Sequence, residues 1–309
     1  MRRSEINRLF TVSPLNYIGG KARILDQLLP TFPKHISTFV DMFCGGCNVG
    51  INTSANNYIY NDNNRELIGL LKTFLRLNTK TFLRRMDEII EHYGFSKTKE
   101  HGFAYYGGNS MKGVSRYNKQ SFLQLRQDFN HSPRNHQHYI MLYALIVFGF
   151  NNQMRFNDKG EYNLPVGKRD FNDVIRRKLE IFVEKLKQQH PLIQNQDFRR
   201  FDISRLDKQS LVYLDPPYLI STATYNEGGG WTEKDEQDLL TFMDELYVHG
   251  IRFVLSNMLE HKGRKNHLLI DWIGQRDLHV VGINVDYSNS NYQVGGKNSE
   301  TVEVLVKNY

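Results

Sequence analysis

A buried strand that ends in two prolines is the feature that most constrains how this chain can fold. The apolar run from Leu211 to Leu214 predicts the strand, and the residues that follow it are Asp215, Pro216, Pro217 and Tyr218. Proline has no backbone N–H and a fixed φ, so the sheet cannot continue and the local carbonyl groups are left for another partner. A carboxylate, free carbonyl groups and an aromatic ring suit a flat heterocycle with an exocyclic NH₂ group, because each N–H needs an acceptor and the ring needs a face. An ordinary proline-rich turn is the alternative.

The chain is long enough to form two lobes. With 309 residues, of which 40% are hydrophobic, it can bury a large core, and single cores stop growing near this length. No apolar stretch approaches the roughly 18 residues of a membrane-spanning helix, and residues 1–5 lack the apolar core of a signal peptide. We therefore expect a soluble, cytoplasmic protein that does not bind a membrane.

Positive charge is concentrated in the middle third of the chain. Residues 67–172 include 16 Lys and Arg and 8 Asp and Glu, a net charge of +8, whereas the whole chain has +7. A solvated surface usually mixes its signs, so a segregated excess indicates a lobe that binds a polyphosphate. Ribosomal proteins and other basic proteins share this feature.

The two cysteines, Cys44 and Cys47, form a C-x-x-C motif. This spacing can bind a metal or carry out redox chemistry. No second cysteine pair or nearby histidine completes a tetrahedral site, so we expect no metal. With so few cysteines, a disulfide scaffold is excluded.

The order of the predicted elements indicates an α/β domain with an insertion. Strands are predicted at 38–43, 58–60, 211–214, 251–256, 279–285 and 301–306, and helices at 21–29, across much of 66–146, and at 174–189 and 233–247. Strand, glycine-rich turn, helix, strand and acidic residue is the opening of a nucleotide-binding unit. We expect one domain of residues 1–66 and 173–309, interrupted by a mainly helical lobe of residues 67–172.

Two segments favour a nucleoside-like cofactor with an anionic end. The turn after the first strand contains Gly45, Gly46 and Gly50, which let the backbone approach a ligand closely. It is neither a G-x-G-x-x-G sequence nor a P-loop, which disfavours phosphate binding. Asp62 lies where an acid can bind two ribose hydroxyls, although a turn residue in an Asn-rich loop is an equal alternative. Lys21, at a predicted helix start, opposes the helix macrodipole, and an anionic ligand would relieve this.

A set of short motifs runs along the chain in a fixed order. They are Gly-Gly-Lys at 19–21, Phe-x-x-x-Phe-x-Gly-Gly at 39–46, Asp62, a hairpin-like segment at 152–165, Asp-Phe at 197–198 and Asp-Pro-Pro-Tyr at 215–218. Together they resemble the Dam family of adenine-N6 DNA methyltransferases, in the motif order of its alpha group. The match covers essentially the whole chain and is weakest between residues 78 and 134. The family often has Trp before Gly-Gly-Lys, where this chain has Tyr17, one residue before Ile18.

The resemblance implies a fold and a cofactor. The fold is α/β, a Rossmann-like methyltransferase sheet with an inserted, mainly helical DNA-recognition lobe that carries a β-hairpin. The cofactor is S-adenosylmethionine, with Lys21 near its carboxylate, Asp62 at the ribose and Asp197 and Phe198 at the adenine. The full set implied to bind it is Tyr17, Gly20, Lys21, Asp41, Phe43, Gly45, Gly46, Asp62, Asp197, Phe198 and Asp215.

The reaction implied is direct methyl transfer to N6 of adenine in DNA, with catalytic residues Asp215, Pro216, Pro217 and Tyr218. The N6 lone pair is delocalised into the ring, and the nitrogen becomes positive as the methyl group arrives. Acceptors aimed at the N–H bonds, here Asp215 and the Pro216 carbonyl, help on both counts. The base must leave the duplex, and we expect it to stack on Tyr218.

The implied DNA contacts lie in two segments. In the hairpin they are Asn152, Arg155, Phe156, Asn157, Lys159 and Tyr162, and in a polar loop near the C-terminus they are Ser288, Asn289 and Lys297. Arg155 and Lys159 are candidates for phosphate or base-edge contacts and Phe156 for an aromatic wedge. Each could instead be ordinary surface.

The expected partner is double-stranded DNA, with a cognate restriction endonuclease as a further candidate. We expect a monomer in solution, in the cytoplasm of a prokaryotic or phage-infected cell. An RNA adenine methyltransferase and a catalytically silent DNA-binding protein on the same scaffold are the alternatives. The intact set of Lys21, Asp62 and Asp215 argues against the silent protein, and the basic inserted lobe favours duplex DNA over RNA.

Overall fold

A computed structural model describes residues 9–17, 19–220, 230–283 and 301–309. The strands are β1 (Thr38–Asp41), β2 (Asn57–Asn61), β3 (Leu192–Gln194), β4 (Leu211–Leu214), β5 (Arg252–His261), β6 (Arg264–Lys265), β7 (His279–Ile283) and β8 (Thr301–Lys307). The helices are α1 (Leu25–Leu28), α2 (Arg65–Arg76), α3 (Thr79–Tyr93), α4 (Thr98–Tyr105), α5 (Ser115–His131), α6 (His136–Phe148), α7 (Asp173–Gln189), α8 (Glu233–Val248) and α9 (His267–Gly274).

The described residues form two compact units. Unit 1 includes residues 21–63 and the described part of 194–309, and unit 2 includes residues 64–193 and the described part of 4–20. Unit 2 therefore contains more residues than the lobe of residues 67–172 expected from the sequence, and helix α7 belongs to unit 2. The assignment of DNA recognition to residues 67–172 stays a prediction.

Unit 1 is built on a mixed sheet with the strand order β3-β2-β1-β4-β5-β8-β7, and β6 pairs with β5. The pairs β2–β1, β1–β4 and β4–β5 are parallel, whereas β8 is antiparallel to both β5 and β7. The predicted α/β fold class is confirmed. The strand order reverses next to β1, because β2 lies on one side of it and β4 on the other. In open α/β sheets, ligands bind at such a switch point, beyond the carboxyl ends of the strands.

Strands β1 and β4 end at the same level of the sheet. Asp41, the last residue of β1, pairs with Tyr213 of β4, so the segments after both strands leave the sheet side by side. All four residues of β4 are buried, as expected of a strand covered on both faces. The segments that carry the glycine-rich turn and the Asp-Pro-Pro-Tyr motif therefore start from adjacent strands.

Unit 2 is helical and is organised around α6. Ten of its thirteen residues are buried, and α2, α3 and α5 pack against it. Asparagine side chains cap the N-termini of several helices by accepting hydrogen bonds from backbone N–H groups. Asn64 caps α2, Asn135 caps α6 and Asn172 caps α7. Such caps satisfy N–H groups that have no partner within the helix. Gly69 in α2 admits the ring of Tyr139, because a Cβ at that position would lie 2.0 Å from the ring.

The segment after α6 forms a tight hairpin within unit 2. Isolated bridges join Gly149 to Val166 and Phe156 to Tyr162. At the tip, the Gly160 N–H donates to the Asn157 carbonyl over 2.8 Å. A hairpin was predicted at this position.

Some elements differ from those predicted. The helix expected after the glycine-rich turn is a single 3₁₀ turn, Gly50–Asn52, and 21–31 is a series of short helical turns in which α1 is flanked by 3₁₀ turns. Strands β3 and β6 and helix α9 were not predicted. Among the described residues, no helix is long and apolar enough to cross a membrane.

Candidate active site

Asp215 lies directly after β4 and forms an ion pair with a buried lysine. The distance from its Oδ1 to Lys21 Nζ is 2.7 Å, and the exposed fractions of the two side chains are 17% and 8%. Lys21 begins the 3₁₀ turn Lys21–Ile24. Lys21 was predicted as a cofactor-binding residue and Asp215 as both catalytic and cofactor-binding, and the structure brings the two side chains together.

The hydroxyl of Tyr218 connects this ion pair to two further side chains. It lies 3.2 Å from Asp215 Oδ1, 3.1 Å from Ser256 Oγ and 3.1 Å from Glu303 Oε1. Lys21 Nζ lies 3.9 Å from Glu303 Oε1 and 5.0 Å from the centroid of the Tyr218 ring. The result is a buried polar cluster with one cation and two carboxyl groups, which we call the Asp215 cluster.

Burial sets the acid–base behaviour of the Asp215 cluster. Desolvation raises the pKa of Asp215 above its usual value, Lys21 lowers it, and Glu303 raises it further. Desolvation likewise raises the pKa of Tyr218 well above its usual value, with Asp215 and Glu303 acting in the same direction. The phenol therefore stays protonated and can donate a hydrogen bond.

Sequence reasoning missed Ser256 and Glu303. Ser256 lies in β5 and Glu303 in β8, and the two side chains are 0% and 4% exposed. Glu303 carried a usable signal: it is an acid within an otherwise apolar strand, and charged residues are almost never fully buried unless they are paired.

The glycine-rich turn is held by two carboxyl groups. Asp62 Oδ2 accepts the Gly45 N–H over 2.9 Å, and Asp41 Oδ2 accepts the Gly50 N–H over 3.1 Å. Asp41 is 2% exposed, and desolvation raises its pKa from 3.8 to about 8. The Asp41 carboxyl group is thus buried against the turn it holds.

Three aromatic side chains meet beside this turn. The ring centroid of Phe43 lies 5.5 Å from that of Phe198 and 5.9 Å from that of Trp231, and Phe198 and Trp231 are 5.8 Å apart. The Trp231 indole N–H donates to Glu236 Oε2 over 2.6 Å, which fixes the ring. Phe43 and Phe198 were predicted as cofactor-binding residues, whereas nothing in the sequence singled out Trp231.

Asp197 is engaged by its own turn. Its carboxylate accepts the backbone N–H of Arg199 over 2.9 Å and lies 3.1 Å from the Arg199 guanidinium. Arg199 also reaches Asp235 and Asp238 on α8. These contacts attach the Asp-Phe pair to α8, so Asp197 contributes to the position of the Phe198 ring.

The hairpin of unit 2 exposes only some of its predicted contact residues. Arg155 and Lys159 are exposed, with Arg155 Nε donating to Asn163 Oδ1 over 2.9 Å. Tyr162 is 1% exposed, and its hydroxyl lies within hydrogen-bonding distance of two backbone carbonyls and can donate to one of them at a time. The remaining three build the loop: Asn152 caps the end of α6, Phe156 packs on Phe129 and Tyr162, and Asn157 accepts the N–H groups of Lys159 and Glu161.

Residues 17–283 match the model of one protein family, described as D12 class N6 adenine-specific DNA methyltransferase. The chain belongs to the D12 family. The predicted resemblance to Dam-type enzymes is confirmed at the level of the family.

Named relatives of this D12 chain include restriction-linked and Dam-type enzymes. It is 40% identical to the modification methylase StsI of Streptococcus sanguinis over 99% of the chain, and 38% identical to the type II methyltransferase M.FokI of Planomicrobium okeanokoites over 96%. The DNA adenine methylase of Escherichia coli K12 is 26% identical over 97% of the chain and 94% of its own length. The chain spans only 44% and 43% of the lengths of StsI and M.FokI.

DNA methyltransferases of the D12 family use S-adenosylmethionine as methyl donor. The residues present suit this group. The Phe43, Phe198 and Trp231 rings offer faces for an adenine, and the carboxylate of Asp62 is a hydroxyl acceptor beside the backbone of the glycine-rich turn. The described residues contain no cluster of His, Cys, Asp and Glu that could hold a metal ion.

The remaining residues that the sequence singled out fall into four groups. In unit 2, the Tyr17 carbonyl accepts the Gly20 N–H over 3.2 Å. Cys44 and Cys47 are buried free thiols whose pKa values burial raises, and such thiols are inert. Gly46 is buried in the glycine-rich turn, and Pro216 and Pro217 follow Asp215. Ser288, Asn289 and Lys297 lie outside the described residues.

Proposed function

We propose that this D12 chain transfers a methyl group to N6 of adenine in double-stranded DNA. The observation that carries the proposal is the position of Asp215. Its carboxylate lies directly after buried strand β4, within hydrogen-bonding distance of Lys21 and Tyr218, and the next two residues are prolines. A fixed acceptor at a sheet switch point, followed by an aromatic residue, is suited to an amino group on a planar base.

S-adenosylmethionine supplies the methyl group when bound. We propose that the Phe43, Phe198 and Trp231 rings hold its adenine, that Asp62 accepts a ribose hydroxyl and that Gly45 and Gly46 let the backbone approach. Trp231 is added to the predicted set because its ring lies within 6 Å of both phenylalanine rings. Asp41 and Asp197 act by holding the turns that carry these residues.

Asp215 polarises the amino group of the target base. In the proposed complex its carboxylate accepts an N6–H bond, which localises the lone pair on the nitrogen and stabilises the positive charge that develops there. Removing one such preorganised group typically costs a few kcal/mol of transition-state stabilisation. Lys21 holds the carboxylate in position, because the ion pair fixes its Oδ1.

A base inside a duplex cannot reach Asp215, so the target adenine must be extruded. We propose that the Tyr218 ring provides a stacking surface for it. Arg155 and Lys159, the exposed cations of the hairpin, are the proposed DNA contacts of unit 2, and the basic residues of 67–172 neutralise phosphates. The names of StsI and M.FokI further suggest a role in modification beside a cognate endonuclease. A cytoplasmic location and a monomeric state complete the proposal.

The test is a methyl-transfer assay with tritiated S-adenosylmethionine on duplex DNA, RNA and protein. We expect label in duplex DNA alone, recovered as N6-methyladenine after hydrolysis. Asp215→Asn should lower kcat by at least about a hundredfold with little change in cofactor affinity, whereas Asp277→Asn, at an exposed acid of unit 1, should behave like the wild-type chain. Label in RNA, or wild-type kcat for Asp215→Asn, would refute the proposal.

A further inference from the structure

The hydroxyl of Tyr218 has more acceptors than it has protons. It lies 3.2 Å from Asp215 Oδ1 and 3.1 Å from Glu303 Oε1, and a phenol can donate to only one of them at a time. The Ser256 hydroxyl, 3.1 Å away, can donate to the phenol oxygen in turn. When the phenol donates to Glu303, Asp215 Oδ1 keeps its contact with Lys21 but has one donor fewer, so it can accept a hydrogen bond from another group.

The Lys21 ammonium likewise faces both carboxyl groups, those of Asp215 and Glu303. The ammonium lies 2.7 Å from Asp215 and 3.9 Å from Glu303. One cation and two carboxylates give the Asp215 cluster a net charge of −1 when both acids are ionised. The single positive charge of Lys21 thus faces two carboxyl groups, with the shorter contact to Asp215.

Burial of the Glu303 carboxylate costs folding free energy, which a role in holding Tyr218 and Lys21 would explain. Its side chain is 4% exposed and it lies in the apolar strand β8, opposite Met258 of β5. Burying a carboxylate costs free energy, and well-packed hydrophobic residues often stabilise a protein more than buried ion pairs do.

We propose that Glu303 is a positioning residue: its carboxylate holds the Tyr218 hydroxyl and shares Lys21, which leaves Asp215 free to accept an N6–H bond of the target adenine. The inference rests on the proposed function. Ser256 supports the same arrangement by donating to the phenol oxygen.

Glu303→Gln separates charge from shape, because the amide oxygen can still accept from Tyr218 while the negative charge is lost. We expect kcat to fall between about tenfold and a hundredfold, with the KM values for DNA and cofactor nearly unchanged. Glu303 also raises the pKa of Asp215, so its loss should move the acidic limb of the pH–rate profile to lower pH. The ionisable groups that act on or are affected by Asp215 are Lys21, Asp41, Tyr213, Tyr218 and Glu303.

Glu260→Gln is the matched control. Glu260 lies in the neighbouring strand β5 and its carboxylate is 3.8 Å from Lys265, so the same substitution there should change neither kcat nor the acidic limb. Unchanged kcat and an unmoved acidic limb in Glu303→Gln, beside an active wild-type chain, would overturn the positioning role. An inactive wild-type chain on every DNA tested would instead refute the proposed function itself.

Glu303→Asp keeps the inference testable if the Gln variant does not fold. It retains the charge but shortens the reach to Tyr218, so we expect a lower kcat with the acidic limb in its wild-type place. Wild-type kcat for a folded Glu303→Asp protein would contradict the proposal. Thermal unfolding of each variant identifies those that have folded.

Discussion

Replacing Asp41 by Asn should remove a pH dependence of stability that this one buried carboxyl group creates. Its pKa is raised from 3.8 to about 8, chiefly by desolvation. Between these two values the unfolded chain releases a proton that the folded protein keeps. The free energy of unfolding therefore falls as the pH rises from 3.8 to about 8, by about 1.36 kcal/mol for each pH unit, and the stabilising contribution is fully present only below pH 3.8.

At pH 7, Asp41 therefore makes the free energy of unfolding about 4 kcal/mol lower than it is at pH 3.8. Asn is neutral throughout, and its amide oxygen can accept the Gly50 N–H as Asp41 does. The new NH₂ group adds a contribution of its own, but that contribution does not vary with pH. The difference in free energy of unfolding between Asp41→Asn and the wild type should thus shift in favour of the variant by about 1.4 kcal/mol per pH unit between pH 5 and 7.

Urea unfolding followed by tryptophan fluorescence measures this difference, because the two tryptophans, Trp231 and Trp272, both lie in unit 1 with Asp41. Asp277→Asn, at an exposed acid of the same unit, provides the control. A difference between Asp41→Asn and wild type that is constant from pH 5 to 7 would show that Asp41 is ionised in the folded protein and that burial does not dominate its pKa.

Three further outcomes are expected. Asp62→Ala should weaken S-adenosylmethionine binding by about ten- to a hundredfold, since a hydrogen bond to a charged group contributes roughly 1.5–3 kcal/mol, and unchanged affinity by calorimetry would exclude a ribose contact. Replacing Cys44 and Cys47 together by Ala should preserve methylation, and a loss of activity accompanied by loss of bound zinc or of a redox response would reveal a thiol site. Gly69→Ala should destabilise unit 2 by about 1–3 kcal/mol, because the methyl group would overlap the Tyr139 ring. In a Tyr139→Ala background the same change should stabilise α2, as Ala ordinarily does in a helix, and circular dichroism melts would show whether the sign reverses.

Local patterns predicted most of the sheet but not its long-range contacts. The strand before Asp215 was readable from four consecutive apolar residues and the two prolines after them. The pairing of Lys21 with Asp215 was not predictable, because the two residues are far apart in the chain and only the folded sheet brings them close together. Trp231 follows a segment without periodicity, so its place beside Phe43 and Phe198 depends on the fold of α8 and its capping box at Thr232.

The predicted hairpin shows the same limit within unit 2. Its position followed from the resemblance to the Dam family, whose hairpin matches residues 152–165. Which side chains project was not predictable: Tyr162 and Arg155 are both typical interface residues, yet the Tyr162 ring fills the core between Phe122 and Phe129 while Arg155 is exposed. Alternation along so short and irregular a ladder does not determine which face is buried.

The sheet of unit 1 holds both ends of the segment 64–193. The chain leaves after β2 and returns at β3, and the Asp62 N–H donates to the Gln194 carbonyl over 3.3 Å. The segment is therefore a closed loop whose two ends are hydrogen-bonded to each other, and the entropy of closing a loop grows only slowly with its length. Segments of quite different length can therefore connect these two anchor points at little cost to the sheet, and we predict that the segment 64–193 can be replaced by its counterpart from another D12 chain without loss of cofactor binding. Chimeras joined at Asn63 and Gln194 that keep S-adenosylmethionine affinity while changing the methylated sequence would show this modularity directly, and loss of cofactor binding in every chimera would refute it.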